Sequence, residues 1–341
     1  MQFTVLVISF FAGLILASMI LWALFLRIGL RWAKAPNVSI RRVVLATVLA
    51  AVLSLIVTVA SGLVSPKTPG AVLLFELAGL AVVICVQALV IKGVFKLTFA
   101  RSLQAWLATL IAAVAGIVFA LVVVKPHVLE AFVTPTSAMA PTLLPRHWTG
   151  KCEYCGEPSY CTAIPGEFEP RSRALAICET NFHTTPLTEY QRFPSEGDRF
   201  LVVKSLKPER WDLAAFQNPA NPASLYIMRL VGLPGEEITI RDGKVFANGQ
   251  LLTPPESIRG IEYASDMFTP NERRMWGTPD RPAKLSDDEY FVLGDFSRRA
   301  RDSRLWDQGA PGHNPYAVPE SHMRGVVTHI YWPPRRWRAF R

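Results

Sequence analysis

The sequence predicts a membrane-anchored, mainly β protein: four transmembrane helices, then a β-rich domain that carries an inserted cysteine-containing segment. Three observations predict it. Half of the 341 residues are apolar, yet charges are scarce before about residue 125 and common after it, which separates a membrane half from a globular half. Four apolar runs in the first half reach the length of about 20 residues that a helix needs to cross the hydrocarbon core. From Asp198 onward, short apolar runs and period-two alternation take over.

The four runs are Phe3–Leu26, Val43–Leu63, Val72–Ile91 and Trp106–Val124 within a first region, residues 1–124. The first has no basic leader and is too long for a signal-peptide core, so it reads as a permanent helix. Arg27, Arg31, Lys34, Arg41 and Arg42 fill the first connection without an acid, Lys67 stands in the second, and Lys92, Lys96 and Arg101 occupy the third. Positive charge marks the cytoplasmic side, so connections one and three face inward. The N-terminus and the region 125–341 are then exoplasmic. Much of the net charge of +9 sits in these connections, which argues against a nucleic-acid partner. Glu76, near the outer N-terminal end of the third run, suits a helix dipole. Cys85 reads as a small residue within an apolar run.

In the exoplasmic region strands are expected at Phe200–Val203, Leu213–Phe216, Leu225–Val231, Tyr290–Leu293 and Val326–Trp332. Between Glu237 and Leu252, Asp242-Gly243 and Asn248-Gly249 are tight-turn pairs that tolerate positive φ, so a three-stranded meander is expected.

Residues 147–190 form an insert with Cys152-x-x-Cys155, Cys161, Cys178 and His183. A close pair followed by distant ligands is a zinc-ribbon pattern, because tetrahedral zinc needs four donors. Cys152, Cys155 and Cys178 would supply three, with Cys161 or His183 as the fourth. An exoplasmic location also permits disulfides. Either way the segment is a structural staple. The basic aromatic end Arg335-Arg336-Trp337-Arg338-Ala339-Phe340-Arg341 suits either an anionic lipid surface or a solvated terminus.

Four stretches carry a family resemblance. Phe132-Val133-Thr134-Pro135-Thr136-Ser137-Ala138-Met139-Ala140-Pro141-Thr142-Leu143 resembles the F-x-x-P-S-x-S-M-x-P-T-L box of the type I signal peptidases, membrane-anchored serine endopeptidases with a Ser/Lys dyad. Gly197-Asp198 through Lys204 is similar to their G-D-x-x-x-V-x-K strand. Tyr226 through Gly235 resembles Y-I-K-R-V-V-G-L-P-G, and Gly294-Asp295 with Asp302-Ser303-Arg304 resembles the last box. The insert and the four spans look most like a planctomycete-type branch. The resemblance implies an inner-membrane protein with its β domain on the periplasmic side, acting on signal peptides of exported preproteins.

The resemblance also locates the catalytic positions. The nucleophile position is Ala138, the lysine position Met228, and the lysine-orienting serine position Ala300. Methyl and thioether groups neither attack a carbonyl nor take up a proton. Thr136 retains the oxyanion-hole hydroxyl, and the architectural residues Arg229, Asp295, Asp302 and Arg304 remain, while Phe296 stands where the family has Asn. The expectation is a pseudopeptidase that binds signal-peptide-like extended segments or scaffolds an active paralogue. The alternative is an active enzyme with Ser137 as a displaced nucleophile. If the segment is extended, Ser137 points away from the old lysine pocket.

Overall fold

The computed structural model describes residues 2–62, 64, 69–164, 169–170, 174–266 and 275–340. The chain divides into two compact units, Met1–Val123 and Val124–Arg341.

The first unit is helical: α1 Gln2–Trp32, α2 Ile40–Gly62, α3 Pro69–Phe95, α4 Phe99–Leu107 and α5 Thr109–Phe119. Four stretches, Ile8–Trp32, Ile40–Gly62, Ala71–Phe95 and Phe99–Val128, are long and apolar enough to cross a membrane. An apolar run of this kind must satisfy its backbone polar groups within itself, which a helix does. The helices outrun the expected spans. Arg27 and Arg31 ride on the end of α1, Arg41 and Arg42 open α2, Lys92 lies in the last turn of α3, and Arg101 lies in α4. Nothing in those flanks breaks a helix until Pro36, beside Lys34 and Asn37 at φ 54° each. Leu63 and Lys67 lie outside the described residues. The fourth run is segmented: Thr98 caps α4 by accepting from Arg101 N, the chain stays right-handed through Ala108 into α5, and Ala120–Val128 continues in wider turns.

Polar contacts and a glycine fit the helices together. Gln87 donates to Ser54 Oγ at 3.0 Å and accepts from Trp106 Nε1 at 2.6 Å, tying α2, α3 and α4. Gly29 of α1 lies flat against α4, where an added methyl would collide with the Ala105 carbonyl oxygen and the Ala108 methyl. Gly29→Ala must therefore push the helices apart. We expect it to lower the melting temperature of the detergent-solubilised protein by several degrees, as overpacking costs about 1–3 kcal/mol. Gly13→Ala, with open space around its Cβ, is the control and should leave the melting temperature unchanged.

Among its described residues the second unit holds sixteen strands in three antiparallel sheets. The strands are β1 Leu129–Val133, β2 His147–Lys151, β3 Pro158–Thr162, β4 Leu175–Cys178, β5 Thr184–Pro186, β6 Arg199–Val203, β7 Leu213–Asn218, β8 Asn221–Gly232, β9 Glu237–Arg241, β10 Lys244–Ala247, β11 Gln250–Leu251, β12 Ala283–Lys284, β13 Glu289–Leu293, β14 Val318–Pro319, β15 Met323–Trp332 and β16 Arg338–Ala339. The main sheet runs β1-β6-β15-β7-β8-β13-β14, with β16 on β15. The second sheet, β11-β10-β9-β12, contains the expected meander, with Asp242 and Asn248 at φ 50° and 48° in its turns. A further strand, β12, joins its edge. The third sheet, β2-β3-β4-β5, lies wholly within the insert.

Every strand expected from alternation is present. Strands β1 to β5 and β12, β14 and β16 were not anticipated; most are short or carry polar and proline residues, so they present no alternation to read. The main core packs Phe200, Val202, Phe216, Met228, Leu230, Val292 and Val327 between the sheet and the serine box.

Candidate functional site

The segment after β1 is built of turns. Ala140 N donates to Ser137 O at 2.9 Å and Leu143 N to Met139 O at 2.9 Å, with a cis Ala140–Pro141 peptide between them. This corrects the premise behind the orientation expected for Ser137. Side chains alternate in extended backbone, but Ser137 sits where the chain is bending, and it is buried. Among the described residues none hydrogen-bonds its hydroxyl. Lys204, the strand lysine, is held by Glu130 at 2.8 Å. Thr136 is exposed, its backbone N–H directed at the Thr134 hydroxyl.

Ala138 and Ala300 meet across Gly294. A Cβ on that glycine would strike the Ala300 methyl and would lie 2.7 Å from Ala138 O. Phe296 N donates to Ala138 O at 3.0 Å, and Ala300 N to Phe296 O at 2.9 Å. Met228 comes from β8 and is 4 % exposed, in the same apolar cluster as Met139, the second residue after Ser137. Met228 and Ala300 are buried and Ala138 is half-buried, with neither amine nor hydroxyl on the three side chains.

Beneath it lies a buried polar network. Arg229, also on β8, grips Asp295 with Nε–Oδ1 at 2.7 Å and Nη2–Oδ2 at 2.5 Å, and donates Nη1 to Trp211 O at 2.7 Å. Thr142 Oγ1 donates to the same carboxylate. Burial alone would lower the Arg229 pKa, but the Asp295 charge outweighs it and raises it, so the guanidinium stays charged. Asp302 and Arg304 form a second buried pair at 2.7 Å, and Asp302 Oδ2 accepts from Gly294 N at 2.9 Å. Both pairs therefore hold the loop that presents Ala300.

Sequence reasoning missed a third anchor. Arg336 pairs Nε with Asp198 Oδ1 at 2.7 Å and donates Nη2 to Pro141 O at 3.0 Å. Asp198 is fully buried and also accepts from Leu144 N at 2.8 Å. Part of the basic tail is thus neither a lipid-binding nor a solvated terminus: Arg336 neutralises a buried acid, and β16 pairs with β15. No local pattern marks Arg336 among its neighbours; only the folded position of Asp198 selects it. Arg341 lies outside the described residues.

Glu289 offers a pH test of this unit. Its carboxylate accepts from Ser286 N at 3.0 Å, Asn314 N at 2.8 Å and Asn314 Nδ2 at 2.7 Å, and lies 3.2 Å from His313 Nδ1. Burial pushes its pKa up, but these hydrogen bonds outweigh burial and hold it below the ordinary value. The unfolded chain then binds the proton more readily, so Glu289 stabilises the fold above the ordinary glutamate pKa, and that stability is lost as pH falls through the folded pKa. We expect Glu289→Gln to lower stability at pH 7 and to flatten its decline between about pH 5 and pH 3, measured by urea denaturation at each pH.

In the insert, the β2–β3 turn supplies Cys152 and Cys155, the end of β4 supplies Cys178 and the β4–β5 turn His183. Their ligand atoms all lie within 4.8 Å of one another, with Cys155 Sγ to Cys178 Sγ at 3.5 Å and Cys152 Sγ to His183 Nδ1 at 3.6 Å. This three-cysteine, one-histidine cluster can hold a metal ion. His183 is the fourth member. Cys161 is outside the group, because it lies in the body of β3 opposite Trp148, with its sulfur 3.7 Å from Thr162 O. The Glu157 backbone N–H pulls the Cys155 thiol down to about 6, and burial pushes Cys178 up to about 11.

A family model described as signal peptidase, peptidase S26, matches residues 174–332. A signal peptidase I of Leptolyngbya laminosa is 30 % identical over 173 residues, covering 45 % of this chain and 72 % of that protein. A signal peptidase I of Pseudomonas fluorescens is 28 % identical over 149 residues, covering 39 % of this chain and 52 % of that protein. A crystal structure of a signal peptidase I from Enterococcus faecalis V583 shares 27 % identity, with 36 % of this chain and 98 % of that chain covered at a TM-score of 0.25. The matches to the Pseudomonas fluorescens, Synechocystis and Pseudomonas aeruginosa proteins span only 52 %, 57 % and 52 % of those relatives' lengths. On the Leptolyngbya match and the boxes laid out above, this chain belongs to the type I signal peptidase family, peptidase S26.

Proposed function

We propose that this chain is a catalytically silent, membrane-embedded homologue of signal peptidase I that holds signal-peptide-like extended segments or scaffolds an active paralogue. One feature supports the reading: counted along the resembling boxes, Ala138, Met228 and Ala300 fall at the family's nucleophile, base and base-orienting positions. The mechanism requires a hydroxyl to attack the scissile carbonyl and a neutral amine to take its proton. Neither stands at these three positions. The Arg229–Asp295 and Asp302–Arg304 pairs, which support the fold rather than the chemistry, are retained. An extended peptide added along a sheet edge is held by backbone hydrogen bonds and side-chain pockets, so binding survives loss of the dyad.

The four apolar helices span the inner membrane, and the basic ends of α1, α2 and α3 face the cytoplasm. The N-terminus and the β domain are then periplasmic. The cysteine–histidine cluster suits structural zinc. Zinc–thiolate bonds of about 2.3 Å in a tetrahedron put sulfurs about 3.8 Å apart, near the 3.5 Å separation here. Backbone N–H groups of Glu157, Thr180 and Asn181 directed at the Cys155 and Cys178 sulfurs suit thiolates. All four donors are protein side chains, so such a site is closed and structural.

The second reading keeps activity, with Ser137 as nucleophile. It is favoured by that hydroxyl lying one residue before Ala138, unengaged among the described residues. Incubation of the purified protein with an exported preprotein separates the two. We expect no cleavage above background for the parent or for Ser137→Ala. Processing by the parent that Ser137→Ala abolishes would overturn the silent reading.

A further inference from the structure

We propose that the metal cluster governs the conformation of the degenerate serine box, with Phe296 as the positioning residue that links them; this rests on the metal reading of the insert. The insert sheet is made of four strands of three to five residues each. A sheet that small cannot close a core of its own, and ligation supplies what burial does not. Its apolar side chains instead share a core with the boxes. Tyr160 and Ile177 of the insert pack with Ala140 and Leu144 of the serine box and with Phe296 of the last box, against which Leu175 and Phe182 also rest. Ile177 precedes the ligand Cys178, and Phe182 precedes the ligand His183. The residues that would fix the metal thus carry the residues that press on the box.

Phe296 is the common member. Its ring is fully buried in the shared core, while its backbone N–H holds Ala138 O and its carbonyl holds Ala300 N. One residue therefore touches the insert with its side chain and two of the three degenerate positions with its backbone. The family Asn at this position would put an amide into that apolar contact. A polar thread runs alongside. Tyr160 donates to Glu179 at 2.7 Å, the residue after Cys178, and Arg336 reaches from Glu179 at 3.4 Å to the Pro141 carbonyl at 3.0 Å. Loss of the metal frees the Cys178–His183 turn, and both threads slacken at the box.

Hydrogen exchange on the full chain in detergent, with zinc bound and after removal by chelator, tests this. We expect residues 138–144 and 294–300 to exchange about ten-fold faster without metal, while the Glu237–Leu251 meander keeps its protection. In Phe296→Asn the same segments should exchange fast whether or not metal is present, at unchanged zinc content. Phe296→Leu, which keeps the apolar contact, should respond to chelator like the parent. Zinc removal with no change at 138–144 overturns the coupling, and so does loss of protection spread equally into the meander. A chain that neither contains zinc nor takes it up refutes the metal reading itself, a result distinct from a metal-bound chain whose box does not respond.

Discussion

Placing the family residues at the three proposed positions together, as Ala138→Ser, Met228→Lys and Ala300→Ser, is expected to raise preprotein cleavage far above the parent's level. Removing a nucleophile from a dissected serine protease costs on the order of a million-fold in rate, so a scaffold that still holds its geometry should regain several powers of ten. The pocket around position 228 is the reason to expect it. Met228 is 4 % exposed among Met139, Leu230 and Val292. A lysine placed there loses its hydration, which depresses its pKa and leaves the amine free to accept the serine proton. The same desolvation destabilises the fold, with a sign that can be checked. Between the depressed folded pKa and the ordinary lysine value, the unfolded chain binds more protons, so stability of the triple variant should rise from pH 7 to pH 9 by more than the parent's does. Cleavage kinetics and urea denaturation at the two pH values read both effects. Ala300→Ser is the tightest step, since its methyl already abuts Gly294; the double variant without it should regain less activity. A triple variant that folds with the expected pH dependence yet cleaves nothing would show that the box itself has moved.

How much of this was legible before folding depends on what each residue answers to. The helices were legible because a long apolar run has few ways to satisfy its backbone. Their ends were not, because arginines and lysines extend a helix as readily as they leave it, as Arg27 and Arg31 do on α1. The meander was legible from Asp242-Gly243 and Asn248-Gly249, where positive φ is a local demand. The insert sheet was hidden: Pro158, Ser159 and Thr184 carry no alternation, and its apolar residues find their core with the boxes rather than within the sheet. Three of the four cluster members followed from spacing, but the choice of His183 over Cys161 needed β3, which turns Cys161 into its own strand body. The three positions proposed as substituted rest on counting along boxes. Phe296 was visible as an odd residue, and only its contacts with Tyr160 and Ile177 give it a reason. Arg336 had no signal at all, because its partner Asp198 lies more than a hundred residues earlier.

Asp295→Ala is expected to be the most destabilising single change in the β domain, by about 3–5 kcal/mol, the range for stranding one member of a buried pair. Asp295 is 1 % exposed and Arg229 5 %. Removing the carboxylate leaves a buried, charged guanidinium hydrogen-bonded to the Trp211 carbonyl and near the Thr142 hydroxyl, with only the more remote Asp212 charge among the described acids acting on it. It also strips the Thr142 hydroxyl of its acceptor. Asp295→Asn keeps an acceptor oxygen but loses the charge, so its effect should be smaller, about 2–3 kcal/mol, as for a hydrogen bond to a charged group. The pair as a whole contributes far less than either half suggests, because ionising both groups in a dry core already costs solvation. Asp295→Leu with Arg229→Met should therefore recover most of what Asp295→Leu alone loses, and the coupling read from that double-mutant cycle is the test. Additive losses would mean that Arg229 and Asp295 are each held by their other partners. In that case, the support under Gly294 and Ala300 would come from Asp302 and Arg304 instead.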